Sequence, residues 1–309
     1  MTSLLHAFER SFVGYARWVG GEVRHVSLHS YFWLLVGVSA TVALLEVVRP
    51  WRKDQPFLRR DFFLDLFYVF FNFFGFGLLG YAALSDVSAT LASRALASIG
   101  LSSLALVDAT GWPWLAQLAL YFVARDFVEY FIHRLLHRVP FLWRLHEVHH
   151  SARVMGFAAH LRYHPFETVV YRTLEFVPMA LLGFSVTDFF LVHAFALTIG
   201  HLNHANVRIP LGPLKYLFNS AEMHLLHHAE RIPVPTGVNF GLTLSVWDWL
   251  FGTAWDPDSE RSHVALGFEG VDRFPRTFLG QLVEPFRTRS APGAPSVEAP
   301  SSGRGPEDA

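Results

Sequence analysis

The stretch HRLLHRVPFLWRLHEVHH, residues 133–150, carries five histidines in two short clusters. His133 and His137 are four residues apart, and the second cluster has the form HxxHH. On a helix, residues three or four positions apart lie on the same face, so each cluster can direct its imidazoles toward one point. This spacing is typical of metal ligands and predicts helices that end at a metal centre.

Two more clusters follow: HLNH at residues 201–204, and HLLHH at residues 224–228, which repeats the HxxHH form. A four-coordinate zinc site uses at most four protein ligands, so these histidines are too many for one such ion and predict two metal ions. The candidate ligands are His133, His137, His146, His149, His150, His201, His204, His224, His227 and His228.

The composition is that of a membrane protein. The chain has 309 residues, of which 52% are hydrophobic and 17% charged. It contains no cysteine, which excludes disulfides, thiolate metal sites and iron–sulfur clusters and leaves nitrogen and oxygen ligands. The net charge of −1 gives no reason to expect nucleic-acid binding. Abundant arginine, alanine, leucine and valine with little lysine is typical of a GC-rich bacterial genome.

The pattern of apolar runs predicts an all-α integral membrane protein with four to five transmembrane helices and a cytoplasmic helical cap that carries the metal site. A bilayer requires about 20 apolar residues per helix. We expect an amphipathic lead-in over residues 1–30, a membrane domain over 31–287 and a disordered tail over 288–309. The expected spans are residues 31–48, 62–84 and 113–132, with a hairpin of two short runs at 169–184 and 188–200.

Charge predicts the orientation. The loop at residues 49–60 (RPWRKDQPFLRR) carries five basic residues, which places it on the cytoplasmic side. The expected spans then bring all four histidine clusters to this cytoplasmic face, so that they can form one site. We therefore expect a bacterial plasma-membrane protein whose active site faces the cytoplasm.

Three other interpretations fit parts of the pattern. His146, Glu147 and His150 form HExxH, the zinc-protease motif in which the glutamate is the general base. That motif leaves His149 and three clusters unexplained, and HLLHH has Leu225 at the position of the base. Haem ligation would require histidines on opposite sides of a porphyrin. Metal transport would require more polar residues along the spans.

The motifs between residues 126 and 253 resemble those of the membrane-bound fatty acid hydroxylase and sterol desaturase superfamily. HxxxH, HxxHH, a further histidine element and a final HxxHH occur in the family order. RYHPFE at residues 162–167 is similar to the family's RxHPxE, and NFG at 239–241 and WDWLFGT at 247–253 resemble its closing segment. The segment from HANV to the last cluster resembles the alkylglycerol monooxygenase-like and bacterial sterol desaturase branches.

The resemblance implies a di-iron oxygenase with two Fe ions, which uses O2 and externally supplied electrons to hydroxylate or desaturate a lipid. The lipid could be a sterol, a fatty acyl chain or a related apolar molecule. No fused electron-transfer domain is evident in the sequence, so the resemblance implies a separate donor of the ferredoxin or cytochrome type with NAD(P)H behind it.

Metal-bound histidines usually donate their second ring nitrogen to a carboxylate or a carbonyl. Nearby polar residues are therefore candidates for orienting the ligands. By position these are Asp126, Glu147, His164, Glu167, Glu222 and Asp248. The spacing leaves open whether His160 and His201 bind metal. We expect His193 to be a buried core histidine or to line a substrate tunnel.

Overall fold

A computed structural model describes residues 2–27, 30–81, 94, 98, 109, 111–182, 186–234, 236–256 and 264–288. Over these residues the fold is helical, and β-structure is limited to two isolated antiparallel bridges. This confirms the all-α expectation for the described part of the chain. The tail expected at 288–309 and most of the segment between the second and third expected spans lie outside it. The helices are α1 (Thr2–Arg24), α2 (Tyr31–Val48), α3 (Phe62–Tyr68, continued by a π-helix, Val69–Tyr81), α4 (Trp114–Arg138), α5 (Pro140–His150), α6 (Pro165–Leu182), α7 (Val186–His204), α8 (Ala221–His227), α9 (Val246–Phe251) and α10 (Phe278–Val283).

The helix α2 is the one helix among the described residues that is long and apolar enough to cross a membrane. It begins after Ser30, whose hydroxyl caps it by accepting a hydrogen bond from the backbone N–H of Trp33. The number of membrane spans expected from the sequence, four to five, is therefore not confirmed. In α4, three of the charged residues are Arg125, Asp126 and Glu129, and all three side chains are buried inside the protein.

A buried carboxylate ties α2 to the rest of the fold. Glu46 accepts hydrogen bonds from the backbone N–H groups of Phe157 and Asn206, at 2.8 and 2.7 Å. Asn206 also bonds the backbone of Arg52. These bonds fix the end of α2 against the loop after α5 and the chain after α7, which are the two segments that flank histidine clusters.

The basic loop at residues 49–60 is partly turned inward. The guanidinium of Arg59 is buried in an ion pair with Asp65, at 2.9 Å, and Arg162 bonds the same carboxylate at 3.0 Å. Arg52 is buried as well and bonds the carbonyl of Met155. Two of the five basic residues in the loop therefore serve packing, and the other three, Arg49, Lys53 and Arg60, remain exposed.

Pro140 explains how the first two clusters meet. A proline disfavours helical geometry in the residue before it, and Val139 is extended, with φ −92° and ψ 116°. Proline is also favoured in the first turn of a helix, so α5 begins at Pro140 directly after α4 ends. The histidines at the ends of the two helices contact one another: Nε2 of His133 lies 3.2 Å from Nε2 of His146, and the ring centroids of His137 and His150 are 4.8 Å apart.

Candidate metal centre

Nine of the ten predicted ligands lie in two groups, within each of which the ligand atoms are no more than 4.8 Å apart. All of these side chains are buried except that of His137, which is half-buried. The first group is His133, His137, His146, His150 and His227; the second is His149, His204, His224 and His228.

Each HxxHH cluster contributes to both groups. In HEVHH, His146 and His150 belong to the first group and His149 to the second. In HLLHH the assignment is reversed, with His227 in the first group and its two neighbours in the second. Residues four apart on a helix point in nearly the same direction, whereas adjacent residues differ by about 100°. The repeated HxxHH spacing is therefore the spacing that lets one helix serve two adjacent centres.

Several ring nitrogens face one another in a way that favours a bound cation. Nδ1 of His149 donates to the carbonyl of Arg162 at 3.2 Å, and Nδ1 of His204 donates to the carbonyl of Gly200 at 2.7 Å. A carbonyl can only accept, so in the neutral rings Nε2 carries a lone pair. The two Nε2 atoms lie 3.2 Å apart. Two converging lone pairs repel unless a cation lies between them.

The first group has the same feature. His133 donates from Nδ1 to the carbonyl of Phe240 at 2.7 Å, and its Nε2 lies 3.2 Å from Nε2 of His146. Nε2 atoms of His137, His150 and His227 are buried without a hydrogen-bond partner in the structure. Metal–nitrogen bonds of about 2.1 Å place neighbouring ligand atoms about 3.0–3.4 Å apart. The residues present therefore fit two metal ions.

Backbone carbonyls hold the second ring nitrogen of four of the nine grouped histidines. Nδ1 of His227 donates to the carbonyl of Val238 at 2.8 Å, in the same loop that supplies Phe240 to His133. A carboxylate serves one ligand: Glu167 Oε1 lies 2.9 Å from Nδ1 of His146. The RYHPFE element thus supports both groups, through the carbonyl of Arg162 and the side chain of Glu167.

The loop at residues 238–241 is fixed by Asp248. This fully buried carboxylate accepts hydrogen bonds from the backbone N–H groups of Phe240 and Gly241, both at 2.8 Å, and from the hydroxyl of Thr253 at 2.7 Å. Asn239, which adopts a left-handed φ of 52°, bonds the carbonyl of Met223 in α8. Asp248 therefore orients His133 indirectly, through the loop whose carbonyl that histidine contacts.

Burial favours the neutral form of the imidazoles. It lowers the pKa of His149 well below its usual value, and the nearby His204 lowers that pKa further. The same causes, burial first and a neighbouring histidine second, lower the pKa of His228. Burial raises the pKa of Glu167 well above its usual value. A cation held by His146 would favour the ionised carboxylate, because a nearby opposite charge stabilises the charged form.

His201 lies outside both groups. Its Nδ1 is 2.8 Å from Nδ1 of His160, and its Nε2 is 3.0 Å from the hydroxyl of Ser39 in α2. The ring of His160 in turn packs against that of His204, at 5.0 Å between centroids. These two histidines therefore lie beside the second group, and the HLNH cluster contributes His204 to it.

The predicted supporting residues have different surroundings. Glu167 and Asp248 act as described above. Asp126 accepts a hydrogen bond from the indole of Trp247, and Glu222 pairs with Arg208 at 2.7 Å. His164 bonds the carbonyl of Leu282, and Glu147 is buried beside the first group. Sequence reasoning did not identify the backbone carbonyls that hold the ligands, because a carbonyl has no signature in the sequence.

A cavity opens from the histidines toward α6 and α7. It encloses about 820 Å³ of empty space, part of it open to solvent. Histidines of both groups form one part of its wall. Leu161, Ala196, Leu197 and Leu242 form apolar wall, and His193 lines it as well. A polar part is formed by Arg125, Glu129 and Glu175.

These features define a helical protein with two adjacent all-histidine sites beside a largely apolar cavity. Residues 118–253, which contain all nine grouped histidines, match the family model for fatty acid hydroxylase. This match covers less than half of the chain, and it confirms the superfamily resemblance indicated by the sequence motifs.

Three curated relatives share this region. The chain is 34% identical to ornithine lipid hydroxylase OlsE of Rhizobium tropici over 57% of this chain and 52% of that protein. It is 31% identical to alkylglycerol monooxygenase of Caenorhabditis elegans, over 46% and 27% of the two chains. It is 33% identical to methylsterol monooxygenase 1 of Rattus norvegicus, over 42% and 44%. The chain thus matches about half or less of each relative's length, and no solved structure matches it.

Proposed function

We propose that the protein is a membrane-bound di-iron oxygenase that hydroxylates a lipid with O2 and externally supplied electrons. The observation that carries this proposal is the position of both histidine groups in the wall of one largely apolar cavity. The relatives are named as hydroxylases and monooxygenases acting on lipids, which supports hydroxylation over desaturation.

The balance of the reaction sets what the protein must provide. One atom of O2 enters a C–H bond of the lipid and the other leaves as water, which consumes two electrons and two protons. The electrons would come from a separate donor of the ferredoxin or cytochrome type. When bound, iron would supply the binding and reduction of O2. Imidazole ligands suit iron, and also zinc, copper and nickel, so the identity of the metal requires measurement.

The chain's own residues would hold and position the reactants. The nine grouped histidines would bind the two ions, and Glu167 and the loop carbonyls would keep the rings in orientation. The apolar wall at Leu161, Leu197 and Leu242 would hold the hydrocarbon of the substrate and exclude water from it.

The zinc-protease alternative receives less support from the geometry. His146 and His150 do share a group, as HExxH requires. However, a catalytic zinc uses three protein ligands and an open position, whereas five imidazoles converge here and a second group adjoins them. Metal transport is the non-enzymatic alternative, and the experiment below separates all three.

Incorporation of labelled oxygen tests the function. Membranes that contain the protein, a reductant system and ¹⁸O2 should yield a lipid product with one labelled oxygen. We expect His149→Ala and His227→Ala, which remove one ligand from each group, to abolish both bound iron and product. His6→Ala is the matched control, because His6 is exposed in α1 and far along the chain from the clusters.

Other outcomes would favour the alternatives. Retained turnover in both ligand variants would refute the shared-site proposal. Stoichiometric zinc with peptidase activity that disappears in Glu147→Ala would indicate a protease. Metal flux into sealed vesicles without O2 consumption would indicate transport. An alkene product would show desaturation in place of hydroxylation.

We further propose that the protein lies in a bacterial plasma membrane with its metal centre at the cytoplasmic face. The apolar helix α2 and the basic loop that follows it support this placement. Because the chain has no cysteine, Lys53→Cys creates a single labelling site at an exposed position of that loop. A membrane-impermeant maleimide should label it only after the cells are opened; labelling of intact cells would contradict the orientation.

A further inference from the structure

The segment at residues 209–218 is apolar and lies on the surface of the protein. It reads IPLGPLKYLF and has Lys215 as its one charged residue. The structure describes all ten of these residues, and none of them is buried. Ile209, Leu214 and Tyr216 have 47%, 55% and 54% of their surface exposed. Single exposed apolar residues are normal, but a contiguous run of them indicates a surface that contacts another protein or a membrane.

Helix α9 extends this surface. The indole N–H of Trp249 donates a hydrogen bond to the carbonyl of Lys215 at 3.1 Å, which joins the helix to the segment. The next two residues of α9, Leu250 and Phe251, are 67% and 37% exposed. We call residues 209–218 and 249–251 together the cap surface.

The cap surface is continuous with the exposed side of α4. The ring of Phe251 lies 5.3 Å from that of Phe131 and 6.4 Å from that of Phe127, between centroids. Both of these α4 residues are themselves partly exposed. They lie in the span expected at residues 113–132, and the predicted ligand His133 follows at its end. The apolar outer surface of α4 therefore continues onto the cap.

The chain holds the start of the cap surface at the end of α2. The carbonyl of Asn206 accepts a hydrogen bond from the backbone N–H of Trp51, and its side chain bonds the backbone N–H and carbonyl of Arg52. Ile209 follows Asn206 by three residues, which reach at most about 11 Å when extended. Helix α2 is long and apolar enough to cross a membrane and ends at Val48. The cap surface thus begins at the level where α2 would leave the bilayer.

The charged groups beside the cap surface neutralise one another. Lys215 pairs with Asp256, and Arg208 pairs with Glu222 at 2.7 Å. These pairs leave no excess charge among the four side chains for a charged protein partner to recognise. Aromatic side chains with a polar group, such as the tyrosine and tryptophan of this surface, are typical of the interface between membrane and water. Both features favour lipid over a charged protein as the partner.

We propose that the cap surface is embedded in the phospholipid bilayer, in the leaflet where α2 ends. Its apolar side chains contact acyl chains, and Lys215 stays paired with Asp256 at the level of the headgroups. The apolar faces of interfacial segments lie about 5–10 Å inside the boundary between headgroups and acyl chains. The segment is too short to cross the bilayer, since a span needs about 20 residues. This inference rests on the proposed membrane location and adds a second membrane contact to it.

Such a contact sets the depth of the metal centre. Phe131 lies two residues before His133 in α4, and its ring packs against that of Phe251 in the cap surface. Lipid that contacts Phe251 therefore reaches the level of the first histidine group on this side of the protein. The centre then lies beside the bilayer and not above it.

Single cysteines measure the depth of the cap surface. Because the chain has no cysteine, Leu214→Cys and Leu250→Cys each create one site for an NBD fluorophore. Asp272→Cys is the control, because the Asp272 side chain is 86% exposed and pairs with Arg153 at the surface. The labelled proteins are placed in vesicles of phosphatidylcholine and phosphatidylglycerol. We expect phosphatidylcholine with a nitroxide on its acyl chain to quench the labels at positions 214 and 250, and iodide on both sides of the membrane to quench only the label at position 272.

Two results would overturn the inference. Iodide quenching at positions 214 and 250 that equals the quenching at 272 would place the cap surface in water. Protection of both positions from iodide and from the nitroxide lipid would show that protein covers the surface; if that protein is a second copy, oxidation should cross-link two Leu250→Cys chains. Tyr216→Cys is a further position to label if one variant melts at a lower temperature than the wild type.

The depth measurement and the oxygenase test can fail separately. Neither quencher requires O2, reductant or turnover, so labels in water would leave the oxygenase proposal standing. An inactive protein whose labels at 214 and 250 are quenched by the nitroxide lipid would leave this inference standing. Labelling of Lys53→Cys in intact cells would reverse the orientation and leave the depth unchanged.

Discussion

Glu167 accepts a hydrogen bond from Nδ1 of His146 at 2.9 Å, and both residues are 2% exposed. Glu167→Ala removes this bond and leaves the ring N–H buried without a partner. A hydrogen bond to a charged group contributes about 1.5–3 kcal/mol, which corresponds to about a 10–100-fold loss of metal affinity. Glu167→Gln keeps a neutral acceptor, so its loss should be smaller, about fivefold.

A chelator competition measures this directly. Purified protein loaded with Fe²⁺ is titrated with a chelator of known affinity, and the metal that remains on the protein is quantified. Glu222→Ala is the matched control, because the structure pairs that carboxylate with Arg208. Equal metal affinity in wild type and Glu167→Ala, or an equal loss in Glu222→Ala, would refute the orienting role of Glu167.

Three further predictions concern the loop, the pH response and the histidine pair beside the site. Asp248→Ala should lower the free energy of unfolding by about 2–5 kcal/mol, since it leaves two buried backbone N–H groups without an acceptor and removes one partner of the half-buried Thr253 hydroxyl. An unfolding titration that shows less than about 1 kcal/mol would contradict the role given to this carboxylate. Burial lowers the pKa of His201 to about 4, so below the unfolded value of about 6.5 the unfolded chain binds more protons. The metal-free protein should therefore become less stable as pH falls from about 6.5 toward 4, by about 2 kcal/mol per such histidine at pH 5; a melting temperature that rises over this range would contradict it. His201→Ala should leave the metal content unchanged, because this residue lies outside both groups; a loss of one ion would show that it is a ligand.

The sequence predicted the clusters because helical spacing is a local property. Helix α2 begins and ends where the apolar run does, because its apolar composition and its serine cap are both features of the local sequence. Pro140 likewise determines where α5 starts. The number of membrane spans could not be predicted in this way, because buried charges such as Arg125 and Glu129 interrupt the apolar pattern of α4.

The partition of the ligands also required three dimensions. Spacing shows that His146, His149 and His150 lie near one face of a helix. It does not show which group each of them joins, because that depends on the histidines that α4, α7 and α8 place opposite them. His201 has ligand-like spacing to His204, yet Ser39 and His160 occupy its nitrogens. Glu222 lies just before a cluster and Glu167 lies far from one along the chain, yet tertiary packing places Glu167 against an imidazole and pairs Glu222 with Arg208.

Metal analysis of the purified wild-type protein tests the central claim most directly. Elemental analysis, with the protein concentration determined independently, should find about two metal ions per chain, as two all-imidazole groups predict. The proposed function predicts that these ions are iron, with little zinc. One metal ion per chain, or zinc in place of iron at full occupancy, would contradict the di-iron assignment.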